Sequence, residues 1–165
     1  RKLFFVDNNI VANVRKAKEL FKALIPLKLN WTGQASISIA KDPELLKLAA
    51  QSGCRGLLIG VESVIDDGLH KYPKNPENFN ELAKALKRIK DHVIKALAQM
   101  VFGNDYETSQ TLSESLRRLS QLDIVSASIG IVIPYPGTQL AKNLGQQGRL
   151  LHNNWDLYNI NNLLF

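Results

Sequence analysis

Residues 56–63 read Gly56-Leu57-Leu58-Ile59-Gly60-Val61-Glu62-Ser63. From Gly56 to Val61 the run is apolar with no polar alternation, as expected of a strand buried on both faces. Glu62 follows it directly, where the strand should end, and no helix-cap pattern comes next. The same unit recurs on both sides. Upstream, Trp31 to Ile39 reads as a strand. Asp42-Pro43 then supplies an N-cap and a first-turn proline, Leu45, Leu46, Leu48 and Ala49 a buried face, and Gly53 a stop. Before that, Leu3-Phe4-Phe5-Val6 reads as another strand buried on both faces. Val14, Ala17, Leu20, Phe21 and Leu24 share one helical face, and Pro26 ends the helix.

Downstream, Asn75-Pro76 should open a helix carrying Phe79, Leu82, Ala83, Leu86 and Ile89. Val93 to Phe102 is the fourth expected strand, followed by a helix from Thr108 with Leu112, Leu116 and Leu119 turned inward. Ile124 to Ile133 is the fifth, closed by Pro134-Tyr135-Pro136-Gly137; Thr138 caps a short helix that Gly148 ends. Residues 149–165 form a tail with Trp155, Tyr158 and Leu163-Leu164-Phe165. Strands joined by crossover helices must be parallel, and both faces should be covered. No Pro/Ser-rich linker divides the chain, so the expectation is one α/β unit over residues 1–165. A doubly wound sheet and a section of a β/α barrel both fit.

The 165 residues carry 22% charged and 45% hydrophobic side chains, which excludes wholesale disorder. No apolar run approaches the roughly 18 residues of a membrane-spanning helix. The net charge of +6 comes from Lys and Arg scattered over helix faces, as at Lys84, Lys87, Arg88 and Lys90. No arginine-rich run or interleaved aromatic-and-basic strand accompanies it, so nucleic-acid binding is not expected. Cys54 is the only cysteine, which excludes an internal disulfide and any Cys-only metal or iron–sulfur site within these residues. Low cysteine usage fits a reducing cytoplasm.

Both architectures place function at the C-terminal ends of strands. That rule selects Asp7, Asn8 and Asn9; Gln34, Ser36 and Ser38; Glu62 and Ser63; Gly103, Asn104 and Asp105; and Pro134 to Gly137. Such a rim suits a polar ligand with an amine, hydroxyls and a flat ring. Taken singly, Asp7, Ser63 and Asp105 read first as caps or turn formers. Glu62 does not, because it directly follows a buried strand. There is no Walker A loop, dinucleotide fingerprint, paired-histidine metal spacing or nucleophile elbow. His70, His92 and His152 are isolated, and Cys54 reads as an inert core thiol.

Taken as an ordered set, Phe5-Val6-Asp7-Asn8-Asn9, Gly33-Gln34-Ala35-Ser36, Ser52-Gly53-Cys54-Arg55-Gly56, Gly60-Val61-Glu62-Ser63, Val101-Phe102-Gly103 and Pro134-Tyr135-Pro136-Gly137-Thr138 resemble the core domain of radical S-adenosylmethionine enzymes. The likeness is to the branch that usually carries an N-terminal cobalamin-binding domain, and it runs the length of the chain. It implies a partial parallel β/α barrel of TIM-barrel type, of which these residues supply strands two to six. In that family a Cys-x-x-x-Cys-x-x-Cys loop after the first strand binds a 4Fe–4S cluster. Reductive cleavage of S-adenosylmethionine there yields a 5′-deoxyadenosyl radical. The resemblance places the cluster ligands upstream of Arg1, so the chain alone should be inactive.

Position by position, Asp7, Asn8 and Asn9 resemble the motif that contacts the methionine amine. Gln34 and Ser36 match polar positions facing cofactor or substrate. Glu62 and Ser63 match the site holding ribose hydroxyls or the methionine moiety. Val101, Phe102 and Gly103 match a stretch whose backbone lies near adenine, and Ile133, Pro134 and Tyr135 the strand end bordering it. Val93 stands where relatives often have glycine and reads as a loop variation. The implied cofactors are S-adenosylmethionine, the cluster and, in this branch, cobalamin; the implied reaction is methylation or another radical modification of a small-molecule substrate in the cytoplasm. An exposed strand edge at Leu3 to Val6 should self-associate. Two rivals remain at this point, an unrelated β/α-barrel enzyme with a phosphate or metal site and a non-catalytic scaffold that kept the fold.

Overall fold

A computed structural model describes residues 1–70, 76–159 and 162–165. Five strands, β1 (Lys2–Phe4), β2 (Asn30–Ser36), β3 (Cys54–Glu62), β4 (Lys95–Phe102) and β5 (Ser126–Ile131), form one parallel sheet in sequential order. The intervening helices are α1 (Val14–Leu24), α2 (Pro43–Gln51), α3 (Asp66–Leu69), α4 (Phe79–Asp91) and α5 (Ser109–Leu119); α6 (Gln139–Gln146) follows β5. Sequential order with crossovers of one hand keeps the helices on one side, whereas a doubly wound sheet needs a point where the order reverses. The sheet is a curled half-barrel.

Burial alternates along most of the central strands. Trp31, Ala35, Leu57, Ile59, Val61, Ala96, Ala98 and Met100 are buried on the helix-covered outer face, while Thr32, Gln34, Ser36, Leu58, Leu97, Gln99 and Val101 on the inner face stay half-exposed. The expectation that both faces are covered is therefore corrected: only the outer face is, among the described residues. The correction extends to β1, where Leu3 is 43% and Phe4 52% exposed and which, among the described residues, pairs with β2 alone.

Several boundaries also move. β2 ends at Ser36, whose side chain accepts from the Ser38 amide and starts a 3-10 turn over Ile37–Lys41. β4 starts at Lys95, because Val93 turns into the left-handed region at φ 62°, the conformation that suits glycine. β5 covers Ser126–Ile131 rather than Ile124 to Ile133. The helix expected at Asn75-Pro76 begins at Phe79 with Asn78 as its cap, accepting from the Glu81 amide at 3.1 Å; Asn75 lies outside the described residues.

Asp42 with Pro43 and Thr138 cap helices as expected, and Thr108, where a helix was expected to start, is the cap of α5. On α1, Ala17, Phe21 and Leu24 are buried, but Val14 lies outside the contact. On α5, Leu119 is buried while Leu112 and Leu116 are 38% and 59% exposed. The helix is rolled so that Ser115 and Leu119 face inward, and Arg118 reaches across to the Val64 carbonyl at 3.0 Å and Asp66 at 3.3 Å.

The core centres on Trp31, which is fully buried. It stacks on Phe21 at 5.3 Å, meets Phe5 edge-on at 5.4 Å, and donates from Nε1 to the Ser52 hydroxyl at 3.0 Å. This anchors β2 to α1 and α2 on the outer face and leaves the inner face free for function. The tail folds back, with the Leu151 amide donating to the Leu164 carbonyl and Arg149 pairing with Asp105 at 2.6 Å.

Candidate functional site

Registration of the strands sets the inner face in rows. Ser36, Gly60, Gln99 and Ser128 are direct neighbours on β2, β3, β4 and β5, as are Gln34, Leu58, Leu97 and Ser126 one row below. The upper row is thus hydroxyl, bare backbone, amide and hydroxyl. Glu62 completes it. The pairing of β3 with β4 slips between Gly60 and Glu62, and Glu62 takes φ 63°, a backbone state that costs a non-glycine residue about 1–3 kcal/mol. The bulge turns the side chain back along its own strand, so the carboxylate lies over Gly60 on the inner face. Half-buried there, its pKa is raised by desolvation alone. The sheet partners of Gly60 beneath it, Ser36 and Gln99, are neutral, as is Met100, the partner of Glu62 itself. Strain and desolvation held together at one acid, at a strand end, mark a functional residue more strongly than either alone.

The other residues selected from the sequence divide by what they touch. Asp7 and Asn8 stand exposed in the turn after β1. Asn9 is a tie: its Oδ1 accepts from the Val11 amide at 3.3 Å and the Ser36 amide at 3.0 Å, and the Ile10 amide donates to the Gln34 carbonyl. Asp7 and Asn8 are thereby held beside the end of β2. Ser63 is buried, its hydroxyl engaged with the backbone of Ile65 at 3.2 and 3.4 Å.

At the end of β4, Val101 and Phe102 are half-exposed, and the amides of Gly103 and Asn104 both donate to Glu107 Oε2, at 2.6 and 2.9 Å. Gly103 adopts φ 98° to make that turn. After β5, Ile133 is half-exposed and accepts from the Tyr135 amide; Pro134 is buried, and the Tyr135 ring is exposed.

Gln99 and Ser128 belong to the same row as Ser36 and Glu62, and sequence reasoning passed over both. The available signal was the alternation in β4, where a glutamine stands between the apolar residues Ala98 and Met100. Cys54 does not fit a cluster ligand. It is buried at the start of β3, at the opposite end of the strand from Glu62, with its thiol pushed up to about 12 by burial. No group of His, Cys, Asp or Glu among the described residues could hold a metal ion, and no described helix is long and apolar enough to cross a membrane.

No family model matches the chain. Among curated proteins it is 25% identical over 161 residues to the bacteriochlorophyllide d C-12(1)-methyltransferase of Chlorobaculum tepidum, covering 98% of this chain and 35% of that protein. It is 24% identical over 168 residues to the hopanoid C-2 methylase of Rhodopseudomonas palustris, covering 98% and 32%. The chain thus spans about a third of the length of these relatives. Among solved structures it superposes on TsrM from Kitasatospora setae, a radical S-adenosylmethionine methyltransferase with cobalamin and a [4Fe-4S] cluster bound. The TM-score is 0.72 at 19% identity, over 93% of this chain and 30% of that one. A second TsrM structure, with tryptophan and an S-adenosylmethionine analogue, gives 0.70 at 18% identity, over 92% and 31%. By fold this chain matches part of a radical S-adenosylmethionine methyltransferase, and by sequence it is similar to curated methyltransferases.

Proposed function

We propose that this chain is the S-adenosylmethionine-holding part of a radical S-adenosylmethionine methyltransferase, with the ligand seated across the inner face at the C-terminal ends of the strands. The observation that carries the reading is Glu62: strained, desolvated and laid over Gly60 in a row of neutral hydrogen-bonding groups. Its carboxylate accepts from the ligand's hydroxyl or ammonium groups. Asp7 and Asn8 meet the methionine amine, held in place by Asn9. Gln34 and Ser36 line the inner face beside them, and Ser63 fixes the turn that follows Glu62. Val101, Phe102 and Gly103 offer backbone to the adenine, with Ile133, Pro134 and Tyr135 on its far side.

In the intact protein the reaction is methylation, or another radical modification, of a small-molecule substrate. The redox chemistry comes from a 4Fe–4S cluster and cobalamin held outside the described residues. This chain's share is binding and orientation, and residues 1–165 act as one core-domain unit, with 149–165 as its tail. The reading includes a cytoplasmic location, consistent with one buried thiol, and no role in nucleic-acid binding. It also includes self-association along the exposed β1 edge.

Isothermal titration of the purified chain with S-adenosylmethionine tests the ligand. Saturable binding is expected, weakened at least about tenfold in Glu62→Gln, since a hydrogen bond to a charged group contributes about 1.5–3 kcal/mol. Undetectable binding, or a variant that binds like the parent, overturns the reading.

A further inference from the structure

We propose that Gly60 is a positioning residue for Glu62: the absence of a side chain at position 60 is the space in which the carboxylate lies. A β-carbon there would fall 2.6 Å from Glu62 Oε1 and 3.7 Å from Cδ, with no other heavy atom within 4 Å. Gly60 does not need its backbone freedom, because it sits inside β3 with ordinary strand geometry, paired to Ser36 and Gln99. Backbone freedom is required instead at Glu62, two residues on.

The two features work together. The bulge and the positive φ aim the side chain backwards, and the bare backbone at position 60 lets it lie flat against the sheet between the neutral groups of β2 and β4. An alanine at position 60 keeps β3 and its pairing intact, since the crowded atom is the free end of a flexible side chain. What it removes is the carboxylate's resting place. Glu62 must then swing off the inner face toward water.

This inference rests on the reading of the inner face as the ligand site, but its first measurement does not. In Gly60→Ala, the Glu62 carboxyl titration followed by 13C NMR is expected to move down toward the ordinary value of 4.5, because the displaced group is rehydrated. A titration midpoint unchanged from the parent overturns the proposal, whether or not any ligand binds.

The second measurement is a double-mutant cycle on S-adenosylmethionine affinity. Gly60→Ala is expected to weaken binding about tenfold, as loss of a charged hydrogen bond would. In a Glu62→Ala background it should have no further effect, because the atom it displaces is gone. Additive losses would mean that Gly60 contacts the ligand itself, and would also overturn the proposal. If the parent chain binds no S-adenosylmethionine, the ligand reading fails by itself and the titration still decides the role of Gly60. Thermal melts close to the parent's are expected for Gly60→Ala, and they separate displacement of the carboxylate from general unfolding.

Discussion

Burial against the inner face disfavours the charged form of Glu62, and no cation among its sheet neighbours offsets that cost. Because its pKa in the folded chain is raised above the ordinary 4.5, the folded state holds the proton more tightly than the unfolded state. The associated stability is full below pH 4.5 and is lost as the pH rises through the folded value. Glu62→Gln is therefore expected to melt higher than the parent at pH 7, with the gap closing near pH 4, as read by thermal denaturation across that range. A variant no more stable at pH 7 than at pH 4, relative to the parent, would contradict the desolvation argument. On the proposed reading the same substitution weakens ligand binding, which would set stability against function at this residue. Its place at the strand end was legible in the sequence as an acid directly after an apolar run. Its direction was not, because the backward turn depends on the slip in pairing with β4.

At the scale of elements, the connection between α2 and β3 depends on Gly53. Its φ of 92° and a β-carbon position only 1.8 Å from the Leu29 carbonyl oxygen leave no room for any side chain. Unlike the crowded atom at Gly60, this one is backbone, and it leads into β2, where the Trp31 amide donates to the Gly53 carbonyl. Gly53→Ala is expected to cost about 3 kcal/mol or more. In a chain of this size that is a fall of roughly 6–12 °C in Tm; a melt within a degree of the parent would show that the turn relaxes freely. The sequence marked Gly53 as a helix stop, and caps at Asp42 and Thr138 were legible because a cap is a local interaction. The roll of α5 was not. Leu112 and Leu116 fit an inward stripe by periodicity alone, yet the inward side is chosen by Arg118 bridging to Val64 and Asp66, more than 50 residues away in sequence.

For the whole molecule, the one-sided covering of the sheet is the property on which the proposed ligand site depends. A sheet covered on both faces has no open inner surface; this one presents a row of hydroxyl, amide and carboxylate groups across four strands. Among the described residues the same architecture leaves β1 paired on one side only, with Leu3, Phe4 and Val6 exposed. An unpaired edge of this kind is a template on which another strand can pair. Sedimentation velocity of the chain should show a concentration-dependent species larger than the monomer, abolished by Leu3→Lys. A monomer at every concentration would remove the edge as an association site.

The sequence by itself determined the alternation of strand and helix, the parallel sheet, most of the helix caps and the family likeness of the strand ends. Each of these follows from short-range periodicity or from residue types at fixed offsets. The tertiary structure decided which sheet face stays open, that Gln99 and Ser128 share a row with Ser36, and that Glu62 folds back over Gly60. Those depend on registers and a bulge set by pairing between strands distant in sequence, which no local pattern encodes.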